Sequence, residues 1–411
     1  MKIGYLLEQG VDTRTRPFSG PANHVWHVVR ELEARGHQIR LLNRLDGRIW
    51  KSDNLTEYEP VFVRGADDGP RRLLEKGVRR AQAAFKLPYI GHFEAERFAR
   101  ACQQELAGFD LLYQRKSWMG YGGGLAAQRM GLPLILEENG DHLDDLRAKG
   151  AAPTGLQLRL ALAQMRKAVW RAAHVIASGE GWRRNFIQRW DYDPERVTTI
   201  ENGTELCALL PREQLYSFRE DVPTREIVTL IYVGGFYAWH GIPILLPALA
   251  RARQQEINAR LILIGSGSGM AEAQTLTEEL GLMEIVTFAG RLKPEEYAPL
   301  LAEADIGVSP YCGWKEYSGL KILDYKAAGL PTIASGEDGM PPILTQEQTG
   351  LIVPPCDEDA LCAAIVRLCA DADLRRRMGQ QARREAEQIH GWDYTAGQIE
   401  KVFEKVIEIR D

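Results

Sequence analysis

Two carboxylates with a glycine between them stand out in the second half of the chain. Glu316 and Asp324 lie in a stretch with the pattern of a strand, a loop and a helix that begins near Gly319. The first backbone N–H groups of a helix have no partner within it and bind anions such as a diphosphate. Carboxylates accept hydrogen bonds from sugar hydroxyls. The segment therefore predicts a site for a ligand that carries both a diphosphate and hydroxyl groups.

Neighbours of that helix start are assigned to the same ligand. The N–H groups of Gly319 and Leu320 would point at it, and Ser318 is grouped with them. Lys321, on the first turn of the predicted helix, is a candidate for a fixed positive charge, and an ordinary surface lysine is the alternative interpretation. Arg291, which follows the predicted strand Ile285–Phe288, is assigned to binding of the same ligand.

Two glycine turns follow predicted strands in the same half. Gly234 and Gly235 open the first turn, which ends near His240, and Gly265 opens the second. The second turn departs from the dinucleotide fingerprint at Met270, which favours a phosphate or sugar loop. A neighbouring diphosphate should raise the pKa of a histidine and favour the imidazolium form. His240 is therefore predicted to be catalytic, while Gly235 brings no charge.

The first half offers fewer candidates. Gly20 and His24 lie at the predicted start of a helix, where His24 could meet phosphates or sugar. Asn139 lies in a polar loop after a predicted strand, where the edge of an active site is expected, and is one candidate there. His142, three residues further on, stays open as an alternative.

Apolar runs of strand length alternate with amphipathic segments of helix length, which is typical of parallel α/β architecture. The predicted strands are Lys2–Leu7, Gln38–Leu42, Leu111–Tyr113, Leu134–Glu137, Val175–Ala177, Val197–Ile200, Val228–Val233, Leu261–Ile264, Ile285–Phe288, Ile306–Ser309 and Thr332–Ala334. The predicted fold is two doubly wound, Rossmann-like domains that face a cleft, with ligands at the carboxyl ends of the strands. The domains are expected at 1–206 and 226–390, joined by a linker at 207–225, with a helix at 391–411 that packs back towards the first domain.

Composition limits the classes of function. The chain has 411 residues, a formal charge of −5 and 45% hydrophobic residues, which argues against a general nucleic-acid binder. The six cysteines show no CxxC spacing, so we expect reduced thiols, no metal site and a cytoplasmic protein. The stretch 227–250 lacks charged residues, but its glycines and prolines indicate a buried strand, a turn and a helix rather than a membrane span.

The ordered set of motifs resembles the retaining glycosyltransferases of family 4, which have the GT-B fold. Their Glu-x7-Glu signature stands here as Glu316-x7-Asp324, followed by Ala-Ala-Gly-Leu-Pro-Thr-Ile-Ala-Ser335. The resemblance implies that Glu316 holds hydroxyls of the donor sugar and that Asp324 holds the ribose. It also implies that Asn139, which stands where many relatives have a histidine, contacts the reacting centre. Two departures matter: aspartate replaces the usual second glutamate, and Gly235 and His240 stand where relatives often have arginine and lysine.

The resemblance implies a metal-independent transferase. It would move a hexose-type sugar from a UDP-, GDP- or ADP-sugar, a substrate rather than a cofactor, to a saccharide, lipid-linked or small-molecule acceptor. Two alternatives are a GT-B sugar-nucleotide epimerase and a nucleotide-sugar-binding protein without transfer activity. The absence of the arginine–lysine pair motivates the second.

A basic segment raises the question of a membrane. Residues 71–86 contain six basic residues and one acid, Glu75, with Leu74, Val78, Ala81 and Phe85 at helical spacing. The stripe could pack on the first domain and leave the charges solvated. Alternatively, the helix could lie peripherally on the inner face of an anionic membrane.

Overall fold

The structure is a computed structural model that describes residues 1–14, 20–85, 90–148, 150–218, 226–312, 319–336 and 343–409. The chain forms two compact units. The first comprises Met1–Glu201 with Thr395–Asp411, and the second comprises Asn202–Tyr394. Each unit is an α/β layer structure around its own sheet and core.

The described part of the first unit contains one eight-stranded sheet. Its strands are β1 (Lys2–Leu7), β2 (Gln38–Leu45), β3 (Arg48–Ser52), β4 (Glu59–Val61), β5 (Leu111–Arg115), β6 (Leu134–Glu138), β7 (His174–Ala177) and β8 (Val197–Thr199). Its helices are α1 (Gly20–Ala34), α2 (Gly69–Ala84), α3 (His92–Glu105), α4 (Gly122–Met130), α5 (His142–Ala148), α6 (Gly155–Val169) and α7 (Glu180–Trp190), with a 3-10 turn at Pro194–Arg196.

The strand order of this sheet is β4-β3-β2-β1-β5-β6-β7-β8, and β1 pairs in parallel with both β2 and β5. The parallel part confirms the prediction. The antiparallel strands β3 and β4 were not predicted. Asp46 and Gly47 join β2 to β3 with φ angles of 52° and 74°, which suit the two-residue turn of a hairpin. The Asp-Gly pair between two apolar runs was the signal for that hairpin.

The second unit contains a six-stranded sheet within the described residues. Its strands are β9 (Val228–Val233), β10 (Ala259–Ile264), β11 (Val286–Gly290), β12 (Ile306–Ser309), β13 (Thr332–Ser335) and β14 (Gly350–Val353). Its helices are α8 (Leu206–Leu209), α9 (Ile242–Gln254), α10 (Met270–Glu279), α11 (Pro294–Ala302), α12 (Leu320–Ala327), α13 (Glu358–Ala370) and α14 (Ala372–Ile389). Short 3-10 turns lie at Arg212–Gln214, Tyr216–Phe218 and Ala238–His240.

All pairings in this sheet are parallel, in the order β11-β10-β9-β12-β13-β14. The β9 strand buries five of its six residues, as expected of a strand covered by helices on both sides. Its predicted bounds, and those of β12, are confirmed. Since β9 lies between β10 and β12, the direction of winding reverses beside it. Open α/β sheets bind ligands at such a point.

The segment that follows the first unit contributes to the second core. Leu210 and Leu215 are buried among Leu301, Tyr325 and neighbouring apolar residues. The last helix, α15 (Trp392–Glu408), belongs to the first unit from Thr395 onwards.

In the first unit, α15 is held by both charge and packing. Glu400 accepts hydrogen bonds from Arg35 at 3.0 Å and lies 2.9 Å from the ring of His37. Phe403 packs edge-on against Tyr113 of β5, with ring centroids 5.1 Å apart. These contacts fix the C-terminal helix on the sheet.

The expectation that all six cysteines are reduced thiols is wrong for two of them. Cys312 and Cys356 form a disulfide, with Cα atoms 4.7 Å apart. They lie 44 residues apart in sequence, so spacing gave no signal. Each lies three residues beyond a strand, β12 and β14, and parallel strands end at the same edge of a sheet. Cys102, Cys207, Cys362 and Cys369 are free.

No helix in the described ranges is long and apolar enough to cross a bilayer.

Gly241, at the start of α9, lies in close contact with the backbone of Pro310. Its φ is 75°, and a β-carbon there would lie 1.2 Å from the carbonyl oxygen of Pro310. Gly281 has a similar φ of 66° but nothing within 4 Å. We expect Gly281→Ala to cost about 1 kcal/mol through its backbone conformation alone. Gly241→Ala should cost clearly more, since the Pro310 backbone must also move. Thermal denaturation of both variants measures the difference, and equal melting temperatures would contradict the close contact.

Candidate active site

The first glycine turn begins where β9 ends. Its geometry is held by hydrogen bonds to the carbonyl of Gly235, which accepts from the hydroxyl of Tyr232 at 2.7 Å and from Nδ1 of His240 at 2.6 Å. Because a carbonyl only accepts, Nδ1 of His240 carries the proton. The imidazole is thus fixed to the turn through one nitrogen.

The second glycine turn lies directly against the first. A β-carbon at Gly265 would lie 1.7 Å from the carbonyl oxygen of Gly234, and the φ of Gly265 is 138°. Gly265 also donates its N–H to Gly290 at the end of β11, 2.7 Å away. Three strand ends therefore meet through their backbones with no side chain between them. Arg291, the next residue, is exposed.

Lys321 lies beside the same turn. A β-carbon at Gly234 would be 3.1 Å from its Cε. The side chain is buried, and its Nζ donates to the Tyr311 hydroxyl at 2.7 Å. Nζ also lies 5.3 Å and 4.2 Å from the ring centroids of Tyr232 and Tyr311, within range of cation–π attraction. The surface-lysine interpretation is therefore wrong, and Lys321 places a fixed positive charge at the turn.

The positive charge of Lys321 affects the protonation of His240. Its ring lies 4.8 Å from that of Tyr311, which also contacts Lys321. Burial, with the positive charge of Lys321, lowers the pKa of His240 to about 4. The histidine is thus neutral at pH 7 in this structure. The imidazolium form that the sequence predicts refers to a complex with a diphosphate, which would add negative charge.

The start of α12 completes this group. Gly319 precedes the helix, and Leu320, its first residue, is 38% exposed. The first N–H groups of α12 and the ammonium of Lys321 together form an arrangement suited to an anion. Glu316 and Ser318, the other predicted members, lie outside the described residues.

Asp324 is held by two hydroxyl groups of the second unit. Its two carboxylate oxygens accept hydrogen bonds from the hydroxyls of Thr204 and Tyr297, both at 2.9 Å. Burial raises the pKa of Asp324 to about 6, and the two hydroxyl donors only partly offset that. The sequence did not indicate these partners, because Thr204 is 120 residues away.

In the first unit, a buried glutamate brings two predicted residues together. Glu137, at the end of β6, forms an ion pair with His24 of α1 and accepts a hydrogen bond from the amide of Asn139. The Tyr5 hydroxyl donates to the other carboxylate oxygen, Oε2, at 3.0 Å, and the Arg115 guanidinium lies 3.4 Å from Oε1. His24 and Asn139 therefore both contact Glu137, which lies between them.

Glu137 is ionised. Burial alone would raise its pKa, but the charge and hydrogen bond of His24, with Arg115 and Asn139, hold the pKa well below its usual range. Sequence reasoning passed over Glu137, although two consecutive glutamates at the end of an apolar strand are a usable signal. The second, Glu138, pairs with Lys116 at 2.5 Å.

The remaining predicted residues lie at the edges of this group. Gly20 is the exposed first residue of α1. His142 begins α5, and its Nε2 lies 2.8 Å from the carbonyl of Lys116 rather than beside Glu137. His142 therefore does not join His24 and Asn139. Among the described residues, no group of three or more His, Cys, Asp or Glu side chains could hold a metal ion.

Comparison with known families now defines the class. Residues 19–203 match the model of a glycosyl transferase 4-like domain, and residues 227–371 match that of glycosyl transferases group 1. The chain is therefore a glycosyltransferase of the GT-B type.

Individual relatives agree with this class. The chain is 26% identical to the D-inositol 3-phosphate glycosyltransferase of Streptomyces scabiei over 84% of this chain and 77% of that protein. It is 24% identical to the enzyme of the same name from Gordonia bronchialis, over 98% and 88%. These names do not favour the epimerase or the binding protein that the sequence left open.

Two solved structures share the fold. Sucrose-phosphate synthase from Thermosynechococcus elongatus superposes with a TM-score of 0.69 at 21% identity, over 99% of both chains. Anabaena HepE, solved in complex with UDP, superposes with a TM-score of 0.68 at 17% identity, over 98% of this chain and 100% of that one.

The raised pKa of Asp324 predicts a pH-dependent stability. Its folded-state pKa of about 6 exceeds the unfolded value of about 4, so the folded protein binds more protons between those values. The associated stability, up to roughly 3 kcal/mol, is present below pH 4 and is lost as the pH rises through 6. In Asp324→Asn this loss should vanish. The melting temperature of the variant relative to wild type should therefore rise from pH 4 to pH 7.

The control is Asp373→Asn, at an exposed position in α14. Its melting temperature should follow wild type across the same range. Parallel curves for Asp324→Asn and wild type would show that Asp324 titrates normally.

Proposed function

We propose that the protein transfers a hexose-type sugar from a nucleotide-diphosphate sugar to an acceptor, with retention at the anomeric carbon and without a metal ion. The observation that carries the proposal is the meeting of Lys321, His240 and the start of α12 beside Gly234. A leaving diphosphate needs positive charge and N–H donors, and this group supplies both.

The fixed position of Lys321 supports the metal-independent form of the proposal. Its ammonium is held by the Tyr311 hydroxyl and by the faces of two tyrosine rings. A charge that is already oriented needs no reorganisation when the diphosphate leaves. The helix N-terminus and Lys321 would thus do the work that a divalent cation does elsewhere.

Glu316 is assigned to hydroxyls of the donor sugar. It lies between β12 and α12 in sequence, next to the helix start that would bind the diphosphate. The reaction we propose is a displacement on the face of the leaving group, with a diphosphate oxygen as the base that accepts the acceptor proton.

Asp324 is assigned to the ribose of the donor. Its oxygens already accept from Thr204 and Tyr297. Each carboxylate oxygen has a second lone pair, so a ribose hydroxyl can be added without breaking these bonds. Thr204 and Tyr297 would then orient the carboxylate and compensate for its being one methylene shorter than the usual glutamate.

We assign binding of the sugar acceptor to the first unit. The ionised Glu137 contacts the His24 ring and fixes the Asn139 amide. An acceptor hydroxyl would meet polar groups whose positions are set by a buried charge.

The donor is a UDP-, GDP- or ADP-sugar, and a thermal-shift panel separates the three. A donor present at 100 times its Kd should stabilise the protein by about 2.7 kcal/mol. Release of free sugar from that donor without an acceptor separates a transferase from a binding protein, which should release none.

The assignment of Glu316 is tested by Glu316→Gln. Because Glu316 contacts the sugar and not the nucleotide, the variant should lose most transfer while it binds the free nucleoside diphosphate almost normally. Calorimetric titration with the diphosphate and initial rates with the full donor measure the two effects. Glu295→Gln, at an exposed position in α11, is the control and should match wild type in both. Equal losses of turnover and diphosphate affinity would show that the assignment is wrong.

The role of His240 is tested by titration. Its pKa is about 4 in the free protein, and a bound diphosphate should raise it towards neutrality. NMR titration of the ring with and without the diphosphate measures this shift. Activity should fall as the pH rises through the pKa of the complex, and His240→Lys should flatten the fall. A pKa that stays near 4 in the complex, or full activity in His240→Ala, would contradict this role. The turn would then contact the diphosphate through backbone groups only.

A further inference from the structure

The α2 helix carries large apolar side chains outwards. Leu73 and Leu74 are 71% and 60% exposed, and Phe85, just beyond the helix, is 75% exposed. The sequence left open that a stripe including Leu74, Val78 and Phe85 packs on the first domain. The structure contradicts this, because only Val78 is partly buried.

A buried ion pair sets the orientation of α2. Glu75, the one acidic residue in the sequence of α2, is buried and lies 2.5 Å from Arg97 of α3 and 2.7 Å from Arg79. Since Glu75 faces the protein, the opposite side of the helix faces solvent. That side carries Leu73, whereas Leu74, on the flank of the helix, lines a recess with Glu75 and Glu96.

Exposed basic residues lie on the same side of α2 as Leu73. Lys76 and Arg80 are exposed, and neither pairs with an acid among the described residues. Since the acid of α2 is turned inwards, the outer surface of the helix combines exposed apolar groups with basic ones.

The α6 helix repeats this combination. Its inner side buries Ala161 and Met165. The large apolar side chains on its outer side are Leu156, Leu160 and Trp170 at its end, which are 60%, 42% and 53% exposed. Its exposed charged residues are Arg159, Arg166 and Lys167, and its sequence contains no acid.

The two helices belong to one side of the first sheet. Successive right-handed crossovers in one direction place α4 and α6 on the same face. Arg129 of α4 and Glu96 of α3 lie 2.7 Å apart, and α4 approaches α6 at Gly124. The Glu75–Arg97 pair adds α2 to that row. We call the outward sides of α2 and α6, with Phe85 and Trp170, the basic apolar face.

We infer that the first unit docks peripherally on an anionic lipid bilayer through the basic apolar face. A bilayer offers an apolar interior for leucine, phenylalanine and tryptophan side chains and anionic headgroups for lysine and arginine. The whole chain has a formal charge of −5, so attraction to anionic lipid must come from this local surface. The inference is independent of the donor and of the transfer reaction.

Co-sedimentation of the full chain with lipid vesicles is the direct test. Vesicles of phosphatidylcholine with phosphatidylglycerol should carry the protein into the pellet at low salt, whereas vesicles of phosphatidylcholine alone should carry much less. Binding should weaken as salt rises from 0.05 M to about 0.5 M, because the screening length then falls to a few ångströms. A protein that stays in the supernatant with anionic vesicles at low salt overturns the inference.

Three double variants locate the surface. Lys76→Glu/Arg80→Glu should lower the partition coefficient at least about 25-fold, since each basic residue near anionic lipid contributes about fivefold. Leu73→Ser/Leu74→Ser and Leu156→Ser/Leu160→Ser should weaken binding even at low salt. Arg79 is left unchanged because it pairs with Glu75.

The matched control is Met283→Ser/Arg377→Glu, at two exposed positions of the second unit. It should bind vesicles like wild type. All four variants should keep the wild-type thermal shift with the nucleotide sugar, which separates a failure of docking from a failure of the proposed function. Wild-type vesicle binding in the three double variants would overturn the inference. So would concentration-dependent self-association that the leucine variants abolish while no form binds vesicles, since a second copy would then cover the face.

Discussion

The second unit depends on a contact between backbones. The carbonyl of Gly234 occupies the space that a β-carbon at position 265 would need, and the carbonyl of Pro310 does the same at Gly241. The ends of β9, β10 and β12 can therefore converge without side chains between them. That convergence brings Lys321, carried by α12, to the turn that holds His240. A methyl group at either glycine would separate the elements that form the candidate anion site.

Both units place charges in low-dielectric surroundings and compensate them differently. Glu137 stays ionised because His24 and Arg115 bring opposite charge to it. Among the described residues, Asp324 accepts hydrogen bonds from two hydroxyl groups, and burial raises its pKa to about 6. The partner charges outweigh the effect of burial on the pKa of Glu137, whereas the two hydroxyl donors offset it only in part at Asp324. This difference fits an orienting role for Asp324 and a charge-holding role for Glu137.

Much of the fold could be predicted because parallel strands buried on both sides appear as uninterrupted apolar runs. The bounds of β1, β9 and β12 follow from that pattern. The β2–β3 hairpin could have been predicted from Asp46-Gly47. Long-range partners could not be, because neither the pairing of Cys312 with Cys356 nor that of Thr204 with Asp324 has a local signal.

The same limit applies to the candidate site. The helix start at Gly319 and the glycine turns could be predicted, because the backbone conformation at these positions depends on residues that are adjacent in sequence. The environment of Lys321 does not follow from it, because Tyr232 comes from another strand. A side chain that sequence alone cannot distinguish from a surface lysine is buried once the strands have assembled.

The histidine in place of a permanent cation has a physical consequence at this site. Lys321 already supplies one positive charge near Tyr311, and a second fixed charge at position 240 would repel it in partly desolvated surroundings. A histidine avoids that cost, since burial and Lys321 keep it neutral while no anion is bound. In the proposed complex, the negative charge of a diphosphate would favour protonation of Nε2, and the site would gain its second cation only then. The proton taken up would couple donor binding to pH, which an arginine, charged at all accessible pH values, cannot do.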